Sequence, residues 1–414
     1  MSLCIDGKLL LKRIEHLSRI GRTPEGGVTR PGFSIKESQA RTLVEKWMAE
    51  AGLEPSVDPA LNLIGTCWGK ERGAPVVVTG SHLDSVPNGG KLDGVLGVLG
   101  ALEAVRSLIL SKIKFRRSIK VIAFTAEEPN LYGFSTVGSR AISNSLPEGA
   151  LERKDPKGVT LSELLSRRGG RPEQISKASF DPSQISAFVE LHIEQGPLLD
   201  IQKIPIGIVS ALCGIKRLLI DVKGRPDHAG TMPMNLRKDA LAAGAQLILE
   251  IETICKSRGQ GMVGTVGKMT LAPNQVNVVP GRAELELDLR TIDDELCERI
   301  HTEILQVCDV VANQRGLEIS LNSRSAEPPV SLPEGLSRVI GDVCEDFRLS
   351  YLKMPSWAGH DANRMAKIAK TAVIFVPSRH GLSHCPQEWT DEKDIETGVR
   401  VLSETLLRLA NQDG

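Results

Sequence analysis

Residues Pro75–Ile109 read PVVVTGSHLDSVPNGGKLDGVLGVLGALEAVRSLI. The opening "PVVVTGSH" is β-branched and apolar, the pattern of a buried strand. The closing "DGVLGVLGALEAVRSLI" has the apolar density of a helix packed tightly through its glycines. Between them lies a glycine- and proline-rich bend. Strand, bend and helix together are the unit from which α/β layers are built. In open α/β sheets, ligands bind at the carboxyl ends of strands. This strand end carries His82, Asp84 and Asp93.

The same alternation continues outward. "SIKESQARTLVEKWMAEAG" reads as an amphipathic helix, with Ser34 and Glu37 offering a capping box. "NLIGTCW", "SIKVIAFTAEE" and "ISAFVELHIEQG" read as strands, and Arg153–Pro182 as short helices and surface loops. Near Ser210 a second unit begins. "GIKRLLIDVKG" is a strand, "NLRKDALAAGAQLILEIETIC" a helix, and "GMVGTVGKMTL", "QVNVVPG" and "RAELELDLR" give strand signals. "DDELCERIHTEILQVCDVVANQRG" is a helix and "LEISLN" a strand. The order β-α-β-β-α-β suits a ferredoxin-like unit. The proline-rich "AEPPVSLP" marks its exit. The last ninety or so residues return to the first pattern, with "TAVIFVP" a strand and a helix closing the chain. The expected fold class is α/β: a layered domain with a mixed sheet, 1–209 and 326–414, and an inserted ferredoxin-like α+β domain, 210–325.

Composition narrows the function classes. The chain has 414 residues, ample for two domains, and 41% hydrophobic residues, enough for large cores. Lysine plus arginine and aspartate plus glutamate stand at 51 each, so no basic surplus calls for a nucleic-acid partner. No apolar run reaches the ~18 residues of a membrane span. Asp6 and Lys8 interrupt the apolar start of the chain, unlike a signal peptide. Eight scattered cysteines without a CxxC pair suit reduced thiols and a cytoplasmic location.

Several strand ends carry polar residues of one chemical kind. His82 alone reads as well as a hydrogen-bonded core histidine, Asp84 as a turn cap, and Asp93 as a helix N-cap. Glu127 and Glu128 follow the apolar strand "IKVIAFTA". Two adjacent carboxylates there are costly to bury unless a cation or proton compensates them. His192 and Glu194 end another strand. His380 and His384 follow a fourth. Together His82, Asp93, Glu128, His192 and His384 make a nitrogen and oxygen donor set suited to two zinc-like ions. Paired ions of that kind polarise a carbonyl and activate water.

The motifs "GSHLDSVPNGGKLDGVLGVL", "TAEEP", "ELHIEQGP", "HAGTMPMNLRKDA", "APNQVNVVPGR", "LDLR", "AGHDA" and "GLSHCPQE" span almost the whole chain. In this order they resemble the hydantoinase/carbamoylase branch of the dinuclear zinc peptidase-like amidohydrolases. That group includes N-carbamoyl-L-amino-acid hydrolases, β-ureidopropionases, allantoate amidohydrolases and ureidoglycolate amidohydrolases. The resemblance implies a catalytic domain holding two divalent ions, zinc first, with manganese, cobalt or nickel as alternatives. It implies an inserted lid through which a homodimer forms. On the matching positions, Asp93 would bridge the ions, and His82, Glu128, His192 and His384 would complete their shells. Glu127 would be the general base and Asp84 would orient His82. His228 would stabilise the oxyanion from the other subunit. Asn277 and Arg290 would hold the carboxylate of a small ureido substrate, with Gln195 and Arg217 as further pocket residues.

Two departures bear on substrate. Lys91 stands where the family often has asparagine or arginine, and Leu131 in "EEPNLYG" replaces a usual charge. "EEP" and "GSRA" lean toward allantoate and ureidoglycolate enzymes, "GSHLDSVPNGG" toward carbamoylases. The expected reaction is hydrolysis of a linear ureido or amidino C–N bond. One rival is an aminopeptidase or dipeptidase of the same clan. Those usually have an acid where His192 stands and "MKG" after the bridging aspartate. A metal-binding protein without turnover is the other rival, and the presence of Glu127 argues against it.

Overall fold

The computed structural model describes residues 5–412, so readings that rest on Met1–Cys4 fall outside it. The chain divides into two compact units. One runs to Ser210 and resumes at Leu332, and the other is Ala211–Ser331.

The strands in chain order begin with β1 (Glu54–Val57), β2 (Leu63–Cys67), β3 (Val76–His82), β4 (Ile119–Phe124), β5 (Ile185–Ile193) and β6 (Ile206–Leu212). The second unit supplies β7 (Gly214–Lys223), β8 (Asp227–His228), β9 (Met262–Ala272), β10 (Val278–Val279), β11 (Arg282–Thr291) and β12 (Glu318–Glu327). Then come β13 (Val330–Ser331), β14 (Tyr351–Ser356) and β15 (Thr371–Val376).

The large sheet has nine strands in the order β1-β2-β4-β3-β5-β15-β6-β13, with β14 paired to β6. It is mixed. The β3–β4, β3–β5 and β5–β15 pairs are parallel, while the β1–β2, β2–β4 and β15–β6 pairs are antiparallel. The parallel strands therefore end on one edge. β3 and β15 are rich in β-branched residues and almost wholly buried, as expected for strands covered on both faces. The helix Val95–Leu110 packs between sheet and neighbouring helices and is buried on nearly all sides. The helix Ile35–Glu50 shows how tertiary context edits a local rule. Ser34 Oγ accepts the Glu37 N–H at 3.1 Å, as a capping box requires. The Glu37 carboxylate faces Arg41 at 3.2 Å, so only half of the expected box forms.

In the second unit the order is β12-β7-β11-β9, and every pair is antiparallel. The alternation in "RAELELDLR" buries Ala283, Leu285, Leu287 and Leu289 beneath the helices Ala240–Ser257 and Asp294–Arg315. It leaves Asp288 and Arg290 on the opposite face. β12 continues pairing with β7 through a bulge to Glu327, beyond the sequence-based boundary at 325. β8 and β10 form a separate two-stranded ribbon. Among the described residues, no helix is long and apolar enough to cross a membrane.

Candidate metal centre

Four parallel strands deliver the side chains. His82 is the last residue of β3, Glu127 and Glu128 lie just past β4, His192 is next to last in β5, and His384 follows β15. β3 lies between β4 and β5, so the chain departs from it in both directions. A crevice at such a switch point is where α/β sheets place their ligands.

Asp93 is the hub. One carboxylate oxygen, Oδ1, lies 3.2 Å from His192 Nε2 and 3.8 Å from His82 Nε2. The other, Oδ2, lies 2.9 Å from His384 Nε2, which is itself 3.5 Å from Glu128 Oε1. The donor atoms thus form two compact groups, His82–Asp93–His192 and Asp93–Glu128–His384, each able to hold a cation. Asp93 does not cap the helix that follows. That position belongs to Gly94, at φ +67°. A Cβ at Gly94 would stand 2.4 Å from the His82 ring, so only glycine fits this turn.

Tautomers are set by the backbone. His82 Nδ1 donates to the Asp84 carbonyl at 3.0 Å, and His192 Nδ1 to the Ile193 carbonyl at 2.9 Å. With Nδ1 engaged in this way, Nε2 is the atom each ring turns toward Asp93 and could offer to a cation, the arrangement of a metal-ligating histidine. Asp84 acts on His82 first through its main chain, since its carboxylate is 3.5 Å from Nδ1. That carboxylate accepts the N–H groups of Glu127 and Glu128 at 3.1 and 3.0 Å. It thereby fixes the turn that presents both glutamates.

The electrostatics call for positive charge. Burial pushes the Glu127 carboxyl well above the usual range, with Glu128 adding to the effect and His82 opposing it. Burial and then Asp93 raise Glu128 to about 7. The hydrogen bond to Asp93 raises His384 to about 9. Burial disfavours charge on His82, yet Asp84, Glu127 and Asp93 outweigh it and raise its pKa well above normal. Four carboxylates crowded into this space, with imidazole nitrogens turned inward, fit divalent cations.

Gln195 Nε2 lies 3.1 Å from Asp93 Oδ2 and 3.4 Å from His384 Nε2, while its Oε1 is buried without a hydrogen-bond partner. His380 stands apart, exposed and beside Asp200. His360 packs edge-on against His192 with ring centroids 4.7 Å apart, and its Nε2 lies 2.8 Å from Ser356 Oγ.

The remaining sequence-derived residues belong to the second unit, where they form two groups. His228 and Asn277 meet on the ribbon, where the Ala229 N–H donates to the Asn277 carbonyl. His228 Nδ1 accepts from the N–H groups of Gly230 and Thr231 at 3.0 and 3.2 Å, which leaves its proton on Nε2. Arg290 and Arg217 converge on Asp288. Their Nε atoms lie 2.8 and 3.2 Å from its carboxylate.

The sequence reading passed over four residues. Glu190, two before His192 on the same strand face, accepts from Ser81 Oγ at 2.7 Å and Ala362 N at 3.0 Å. Asp361 accepts from Ser139 at 2.5 Å. Glu388 accepts the Leu92 and Asp93 N–H groups at 2.8 and 3.0 Å. Asp288 is the fourth. The available signal was position, since all four lie within the quoted motifs "ELHIEQGP", "AGHDA", "GLSHCPQE" and "LDLR".

Comparison with known proteins finds relatives along nearly the whole chain. The chain is 38% identical to the N-carbamoyl-L-amino acid amidohydrolase of Geobacillus stearothermophilus, over 98% of its own length and 99% of the relative's. It is 35% identical to a ureidoglycolate hydrolase of Arabidopsis thaliana, over 99% of its length and 88% of the relative's. The crystal structure of an amidase of the hydantoinase/carbamoylase family from Burkholderia multivorans superposes with a TM-score of 0.91 at 33% identity, covering 100% of both chains. Residues 78–408 match the peptidase family M20/M25/M40. With most of its length matched in this way, the chain belongs to peptidase family M20/M25/M40.

Proposed function

We infer that this protein is a metal-dependent amidohydrolase that cleaves a linear C–N bond in a carboxylate-bearing ureido compound, such as an N-carbamoyl amino acid or an allantoate-like substrate, and releases ammonia. The observation that carries this reading is the pair of donor groups sharing Asp93, with Glu127 Oε2 set 3.7 Å from His82 Nε2 beside them. His82 and His192 would hold one ion, Glu128 and His384 the other, with Asp93 between. Two divalent ions there, zinc first, would polarise the carbonyl and activate the attacking water.

Glu127 takes a proton from that water and returns it to the departing nitrogen. Its burial supports the second half of that cycle, because a carboxyl held above its usual range is a competent acid. A ureido carbonyl is a poor electrophile, since two nitrogens donate into it. The Nε2–H of His228 is the donor proposed for the developing oxyanion. Arg290, Asn277, Arg217 and Gln195 are proposed to hold the substrate. The antiparallel order of the second unit supports a ferredoxin-like lid, here proposed to mediate a homodimer. The seven described cysteines are all free, which supports a cytoplasmic setting.

The relatives' names favour this reading over a peptidase, as does His192 in place of an acid. The test is metal analysis followed by an ammonia-release assay. Its panel contains N-carbamoyl-α-amino acids, β-ureidopropionate, allantoate, ureidoglycolate and dipeptides. Metal-dependent ammonia from one ureido class is expected. Release of amino acids from dipeptides alone would move the protein to the peptidases.

A further inference from the structure

The two donor groups are not built alike. His82 and His192 are buried, sit on strands, and each is anchored through Nδ1 to a backbone carbonyl. His384 lies outside any strand or helix, at φ +57°, with 49% of its side chain exposed. Among the described residues, its Nδ1 has no comparable carbonyl partner. Something else must hold this imidazole near Asp93 and Glu128.

The structure assigns that task to Glu388: we propose that Glu388 is the positioning residue for the Asp93–Glu128–His384 ion, acting through Ser383. This rests on the two-ion reading above. Glu388 is buried, and its two carboxylate oxygens divide their work. Oε1 accepts from Leu92 N and Asp93 N at 2.8 and 3.0 Å. Oε2 accepts from Ser383 Oγ at 2.9 Å. One carboxylate thus ties the backbone of the shared ligand to the residue preceding His384, across nearly three hundred positions of chain. The contact has its own steric requirement. A Cβ at Gly90 would stand 2.0 Å from Glu388 Cδ, so any larger residue there would displace the carboxylate.

The consequences differ by site. The Ser383 link bears first on the His384 group: its hydroxyl also accepts from Gln195 Nε2 at 3.4 Å, and that amide lies against Asp93 Oδ2, the carboxylate oxygen on the His384 side. The Asp93 backbone link bears on both, because Asp93 is common to them. The His384 ion should also be the looser of the two, since its histidine is less constrained before binding. Outer partners of metal ligands typically account for 10–100-fold in affinity.

The test is a Co2+ titration of the metal-free full chain, read by visible absorption and by bound-metal content, with the melting temperature of each metal-free variant alongside. Wild type should take up two ions, and H384A identifies the looser by removing its signal. S383A is expected to weaken that ion by about 10–100-fold, leaving the tighter ion and the metal-free melting temperature unchanged. S383T should restore it by returning the hydroxyl. E388A should weaken both ions.

The proposal is overturned if S383A leaves both affinities intact, if it weakens both equally, or if S383T fails to rescue. A wild-type protein that binds two ions while S383A behaves so would sink this proposal and leave the two-ion reading standing. Uptake of a single ion by wild type would end both.

Discussion

The residues proposed for chemistry and those proposed for recognition live in different physical settings. In the first unit, His82, Asp93, Glu127, Glu128 and His192 are buried at strand ends and fixed by backbone carbonyls and amides. In the second unit, His228 and Asn277 are exposed on a short ribbon, and Arg217 and Arg290 share an aspartate on a sheet face. Burial makes each charge in the first set costly and strongly coupled to its neighbours. Greater exposure, least at Arg290, makes those of the second set cheaper and more weakly coupled. Substitutions in the two units should therefore fail differently. The first set should lose turnover or metal outright, and the second should lose graded amounts of binding or rate.

The largest effect belongs to Glu127. E127Q keeps a side chain of the same shape and the backbone N–H that Asp84 holds, but it cannot accept and return a proton. Bound metal should remain at the wild-type level while kcat falls by about 10²–10⁴-fold. Metal content and steady-state rates measured on the same preparation check this. Full metal with near wild-type turnover would transfer the proton-handling role to another group and erase the contrast between the units at its sharpest point.

The unevenness of what could be read in advance follows the same divide. The strand ends were legible because burial writes itself into sequence. Runs such as "PVVVTGSH" and "IKVIAFTA" are apolar up to the residue where chemistry begins, and an acid or imidazole there stands out. In the second unit, the buried face of one strand was legible from the alternation in "RAELELDLR". Contacts between residues far apart in sequence were not legible. Nothing in "GLSHCPQE" says that Glu388 reaches the amides of Leu92 and Asp93, because that bond depends on how loops fold back on the sheet edge. Asp84 shows the same limit within a few residues. The resemblance gives Asp84 the task of orienting His82, whereas the strand ends at His82 and the turn beyond it sends the carboxylate to the amides of Glu127 and Glu128, leaving the Asp84 carbonyl to meet the ring. Asp288 was passed over because a carboxylate between two arginines reads as routine surface pairing.

A middle-sized effect is expected at His228. Its Nδ1 is occupied by two backbone donors, so the ring can offer only Nε2–H. If that group meets the oxyanion, H228A should lower kcat by about 10²–10³-fold, the usual consequence of removing one such donor. H228Q, whose amide nitrogen reaches toward the Nε2 position, should recover more of the rate than H228N. A rise in KM with kcat preserved would mean that His228 binds substrate without serving the transition state, placing it with the arginines.

The arginines should give the smallest effects, and in a definite order. Arg290 is about two-thirds shielded at its side chain and holds Asp288 through Nε at 2.8 Å, so its fork is set before substrate arrives. Arg217 is half exposed and meets Asp288 through Nε at 3.2 Å. Charge-assisted bonds from an ordered guanidinium are the stronger class, and exposed ones contribute little. R290A should therefore raise KM for the carboxylate substrate by at least about tenfold with kcat nearly unchanged. R217A should raise it only about two- to fivefold. The decisive comparison is each variant's KM for the substrate against its carboxamide analogue. Loss of the wild-type preference for the carboxylate in R290A, and its retention in R217A, places the contact on Arg290. An equal response from both would mean that Asp288 couples them into one unit, and the R217A/R290A double variant would then fall short of the sum of its parts.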